Sequence, residues 1–181
     1  MGIIAAKTNI PSAKFVFPAN GDTSVLANTA FTILLNVLHL QTGTFTNAKE
    51  TFLGAPQTVN AQGDIIGHTH VVIEQLTALN QTTPTDPTKF VFFKGVNAAA
   101  QDGQLQVDVT GGIPAGVYKL STINTAANHQ PCLVSVAQHG SVEDAVYVSL
   151  PTVFHIHSVL MSCAVHRQLK MGRLPRSARR T

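Results

Sequence analysis

Gln104-Leu-Gln-Val-Asp-Val109 alternates polar and apolar residues without a break. Successive side chains of a strand point to opposite faces, so a period of two predicts a half-buried strand with Leu105, Val107 and Val109 turned inward. A few residues later, Gly112-Ile-Pro-Ala-Gly-Val-Tyr118 has the chemistry of a turn that delivers a tyrosine near the start of the next strand, as in a tyrosine corner. Both features point to antiparallel β structure.

Outward from this stretch, short apolar or alternating runs recur between turn signals. Strands are expected at 13–17, 31–38, 67–75, 90–94, 117–123, 133–137 and 145–150, with Pro18-Ala19-Asn20-Gly21-Asp22 closing the first. Residues 41–62 are rich in Thr, Asn and Gln and show little periodicity. No amphipathic helix separates the runs. The expected fold is all-β: a single antiparallel immunoglobulin-like β-sandwich of about seven to eight strands. The expected domain spans 12–150, after an N-terminal remnant at 1–11 and before a basic tail at 151–181 that reads as disordered or non-native sequence.

Hydrophobic residues make up 44% of the chain and charged residues only 12%. That charge content is about half that of an ordinary cytosolic domain and suits an extracellular β-protein. The formal charge of +3 is misleading, because residues 152–181 hold six Lys/Arg and no acid. The rest of the chain carries six bases against nine acids, a net of −3. A nucleic-acid partner is therefore not expected, since the folded portion lacks the basic patch that contacts phosphates. No run approaches the ~20 apolar residues that span a bilayer, and the stretch after Met1 does not read as a signal peptide.

Gly-rich phosphate loops, G-x-S-x-G elbows and H-E-x-x-H pairs are missing, and no close pair of acids suggests glycosidase chemistry. No catalytic residue is assigned. The constellation that carries chemistry is His68-Thr-His70. On a strand, i and i+2 share a face, which sets the two imidazoles ~7 Å apart along it, within reach of one ion. Neutral imidazole is the commonest transition-metal ligand, so copper or zinc is the expected cofactor, with His129 and His139 the candidates to complete the set. Glu74 shares the face but lies ~13 Å beyond His70. The competing reading makes His68 and His70 hydrogen-bonded structural residues, with Gly67 serving a turn. His155-Ile-His157 repeats the spacing inside the basic tail. Cys132 reads as a buried, inert thiol, and nothing in the spacing pairs it with Cys163. Asn80-Gln-Thr82 is a glycosylation sequon in an expected loop.

Four motifs in order carry a family resemblance: Ser12-Ala-Lys-Phe-Val-Phe-Pro18, Gly67-His-Thr-His-Val-Val72, Ala126-Ala-Asn-His-Gln-Pro131 and Val136-Ala-Gln-His-Gly-Ser141. Over roughly 1–148 the chain resembles a secreted protein family of filamentous fungi and mushrooms without settled activity. Some members carry a ribosomal-protein name that the acidic composition here contradicts. The resemblance implies an extracellular location, a further N-terminal segment before Met1, and a C-terminal tail foreign to the family. Two classes of function follow. One is a non-enzymatic surface or extracellular protein that holds a metal ion or meets a cell-wall component. The other is a metal-dependent enzyme or oxidant-handling protein using the same histidines. An adhesive, aggregating surface protein is a minor third, from the Thr/Asn/Gln-rich β composition. Oligomeric state has no signature in the sequence.

Overall fold

The structure is a computed structural model, and it describes residues 1–138 and 140–152. Its elements are a 3-10 turn at Lys7–Asn9, then β1 (Ser12–Phe17), β2 (Phe31–Leu38), β3 (Leu40–Gln41), the one-turn helix α1 (Ala48–Thr51), β4 (Ile65–Leu76), β5 (Phe92–Val96), β6 (Gln104–Val109), β7 (Gly116–Ala126) and β8 (Ala145–Leu150). The all-β expectation holds. The basic tail from 153 onward, with His155, His157 and Cys163, lies outside the described residues, as does His139.

The strands form two sheets, β1-β2-β6 and β3-β4-β7-β8, with β5 also paired to β4. Every pairing is antiparallel except β3 with β4, which is parallel and corrects the expectation of a purely antiparallel fold. The reason is the single residue between β2 and β3. His39 has φ 54°, and this left-handed kink moves the chain from one sheet to the other. Its Nδ1 lies 2.9 Å from Asp64 Oδ1, which ties the crossing point to the entrance of β4.

Alternation fills the space between the sheets. Phe15, Ile33, Leu35, Leu105 and Val107 of the three-stranded sheet share one buried cluster with Val71, Ile73, Tyr118, Leu120, Val146 and Val148 of the other. Burial of this apolar surface is the main favourable term in folding, at about 25 cal/mol per Å². Tyr118 is fully buried and its hydroxyl donates to the Pro114 carbonyl at 2.9 Å, the corner expected from the 112–118 turn. A smaller cluster, Ala5, Leu40, Ile65 and Ala126, anchors the N-terminal segment.

One expected strand is not formed. Residues 133–137 make only an isolated bridge, Ala5 with Val134, and Pro131 only one with Thr125. At the start of this run a side chain takes the place of a neighbouring strand. Buried Gln57 accepts from the Leu133 amide at 2.8 Å and donates to the Leu133 carbonyl at 3.0 Å and to the Ile3 carbonyl at 2.7 Å.

Candidate metal centre

Val71 and Ile73 of β4 face the intersheet core, so His68 and His70, at even positions, stand on the outer face of the five-stranded sheet. An outer face normally meets water, yet His68 is fully buried. It is covered by chain folded back over the sheet. The Thr44 amide donates to the Gly67 carbonyl (3.1 Å), the Thr46 amide to Ala127 (2.8 Å) and the Leu53 amide to Asn128 (2.9 Å). Asn128 also donates its side-chain amide to Ala55. This network joins 44–55 to the loop that carries His129, and His129 itself holds φ 70°.

Three imidazoles converge there. His68 Nε2 lies 3.1 Å from His70 Nε2 and 3.2 Å from His129 Nδ1. The outer nitrogens of two rings face carbonyls: His68 Nδ1 is 3.2 Å from Thr44 O, and His129 Nε2 is 2.9 Å from Thr46 O. A carbonyl can only accept, so in the neutral rings those outer nitrogens carry the hydrogens. The inner nitrogens, His68 Nε2 and His129 Nδ1, are then both bare lone pairs facing one another. Thr125 Oγ1 lies 3.3 Å from His68 Nε2 and 3.4 Å from its Nδ1, so its hydroxyl is a possible donor to the Nε2 lone pair. Outer-nitrogen bonds of this kind fix the tautomer of metal-ligating histidines. The three ligand atoms all lie within 4.8 Å of one another.

The electrostatics agree. His68 is pushed down to about 4 from an ordinary 6.5, first by burial and then by the neighbouring His70 and His129. His70 is lowered too, again by burial first and then by His129. Neutral rings at neutral pH are what a cation needs.

Two glycines make room. A Cβ on Gly67 would collide with the Thr125 carbonyl, so this glycine serves close strand approach and not the turn of the competing structural reading. On Gly95, paired with His70 across β4 and β5, a Cβ would press on His70 Cδ2 at 3.3 Å.

Glu74 stays apart from the histidines, as its distance along the strand required. Its carboxylate takes the Lys119 ammonium at 2.7 Å and the Thr85 hydroxyl. Cys132 is a free thiol against the Asn124 carbonyl, pushed up to about 12 by burial and then by Glu143. Asn80 is exposed in the segment between β4 and β5. Sequence reasoning missed the carbonyls of Thr44 and Thr46, because backbone acceptors leave no trace in residue type. The signal that was present is two phenylalanines, Phe45 and Phe52, inside the otherwise polar 41–62 stretch.

Fold and site together define an all-β protein with a three-imidazole centre on the outer face of its larger sheet. Residues 13–151 match the CLU5d N-terminal domain family, and the chain belongs to that family. It is 44% identical over 146 residues to "Pathogenicity cluster 5 protein d" of the fungus Colletotrichum graminicola (strain M1.001 / M2 / FGSC 10212), an alignment covering 80% of this chain and 30% of that protein. The chain thus spans about a third of the length of the curated relative it matches. Among the described residues no helix is long and apolar enough to cross a membrane.

Proposed function

We propose that this chain is a fungal extracellular domain, without catalysis of its own, that holds one divalent transition metal ion, copper or zinc, through His68, His70 and His129. The observation that carries this is the pair of inner lone pairs, 3.2 Å apart, left by two rings whose other nitrogens face carbonyls. Ligand nitrogens about 2.0–2.1 Å from a tetrahedral ion stand about 3.3 Å apart, close to the spacing of these rings. Elemental analysis and calorimetry of the purified protein test it. One equivalent of metal and a rise in Tm with Cu²⁺ or Zn²⁺ are expected. A protein that retains no metal and melts unchanged with either ion overturns the reading.

Export is supported by the sparse charge, the family resemblance and the relative's printed association with pathogenicity. On this reading residues 12–150 form one immunoglobulin-like domain, supported by the two facing sheets and the Tyr118–Pro114 bond. A cell-wall component is its partner and Asn80 carries glycan. Endoglycosidase treatment of the secreted form then lowers its mass, whereas an unchanged mass counts against export or against use of that sequon. A second reading, a metal-dependent enzyme or oxidant-handling protein, draws support from the ligand count. Three protein ligands with a fourth position open is the pattern of catalytic rather than structural zinc sites.

A further inference from the structure

Each imidazole of the centre has its own phenylalanine. Phe45 stands edge-on to His68 with centroids 6.1 Å apart, Phe52 lies 6.0 Å from His129, and Phe93 lies 5.2 Å from His70. Phe90 extends the row, 6.1 Å from Phe93. Rings that exist to fill a core are buried, but Phe45, Phe52 and Phe93 are 47%, 60% and 49% exposed. Phe45 and Phe52 come from the covering segment 44–55 and Phe93 from β5, two parts of the chain that meet at this site. His68 is fully buried, while His70 and His129 are half-buried, so solvent reaches the centre at two imidazoles that each touch an exposed phenylalanine. Exposed apolar rings gathered at one place mark a binding surface.

The charge at the centre says what kind of ligand fits. Three neutral imidazoles leave a divalent ion with both of its positive charges. Among the described residues no carboxylate or thiolate joins the group to offset them. A partly desolvated cation of that charge favours an anion in its remaining position. Resting on the metal reading above, we infer that the loaded centre takes as its fourth ligand an aromatic anion, an oxygen donor carried on a ring. The oxygen meets the metal and the ring settles among Phe45, Phe52 and Phe93. Offset or edge-to-face contacts of this kind are favourable beyond simple burial of area.

The test uses the full chain loaded with Cu²⁺, its copper content measured first, and titrated with three probes. Benzoate has charge and ring, acetate only charge, benzamide only ring. Calorimetry and the visible copper absorption band report binding. Benzoate should bind about tenfold tighter than acetate, the gain expected when one ring settles against others, and also tighter than benzamide, which has no charge to meet the metal. Phe45→Ala with Phe93→Ala, both at half-exposed positions, should bring benzoate down to the affinity of acetate on a copper-loaded basis. Equal affinity of benzoate and acetate for the loaded wild type overturns the seat for the ring. Equal affinity of benzoate and benzamide overturns the role of charge. A chain that takes up no copper is seen before any titration, and overturns the metal reading and this inference together.

Discussion

His68 Nε2 and His129 Nδ1 face each other across 3.2 Å, and neither has a hydrogen to offer the other, because each ring directs its N–H outward to a backbone carbonyl. His70 Nε2, 3.1 Å from His68 Nε2, can satisfy only part of this arrangement. Two lone pairs held 3.2 Å apart repel each other. A bound cation turns that repulsion into coordination, and several outcomes can be measured from it.

Metal should stabilise the wild type and not His70→Ala. An ion that binds only the folded state contributes about 2.7 kcal/mol at a hundredfold excess over Kd. His70 is half-buried, so its loss should leave the metal-free Tm little changed. Calorimetry with and without Cu²⁺ or Zn²⁺ checks both statements. An equal shift in wild type and variant would remove His70 from the site. A purely structural histidine group instead predicts no shift in the wild type.

Replacing His129 with Gly separates ligation from folding. At φ 70° a side chain strains the backbone, by roughly 1–2 kcal/mol for an L-residue. Glycine relieves that strain but loses the 2.9 Å bond to Thr46, worth about 1 kcal/mol. Metal-free stability should therefore stay within about 1 kcal/mol of wild type, while metal-induced stabilisation disappears. Denaturant midpoints of His129→Gly, with and without Zn²⁺, read both quantities.

Acid should destabilise the metal-free protein through the histidines. The unfolded chain accepts a proton at His68 near 6.5, which the folded chain refuses until about 4. Stability is thus fully present above 6.5 and is lost as pH falls through that window. His70, also lowered, adds in the same direction. Tm should be level from about pH 8 to 6.5 and then fall. A Tm that stays flat down to pH 5 would contradict the burial of neutral imidazoles. Asp64 and Glu74, also lowered, take over only nearer their ordinary 3.8 and 4.5.

Gly67→Ala should damage the junction of β4 and β7 directly beneath the site. The added methyl collides with the Thr125 carbonyl, and neither backbone can move without disturbing the Gly67–Ala126 pairing. Overpacking of this kind costs about 1–3 kcal/mol. Gly111→Ala, where a Cβ meets nothing within 4 Å, is the control and should be close to neutral. Urea unfolding of the two variants gives the comparison.

Much of the fold is legible in the residues because its signals are local. The alternation at 104–109 becomes β6, and the 112–118 turn becomes a buried tyrosine bonded to Pro114. The failures have a common cause. Residues 133–137 look like a strand from their apolar run, but Gln57, 76 positions from Leu133, bonds both backbone groups of Leu133 where a neighbouring strand would begin to pair. Residues 41–62 look featureless because what orders them lies in β4 and the 127–128 loop.

The candidate site divides along the same line. The sequence by itself determined that His68 and His70 share one face, since a strand's period of two leaves no other choice. It also made His129 a candidate without fixing where its loop would lie. Only the tertiary structure decided that His129 arrives, that Thr44 and Thr46 turn carbonyls onto the outer ring nitrogens, and that Phe45, Phe52 and Phe93 ring the opening. These are contacts between segments far apart in the chain. Their partners are backbone atoms or exposed rings, and neither kind imposes a period or a spacing on the sequence.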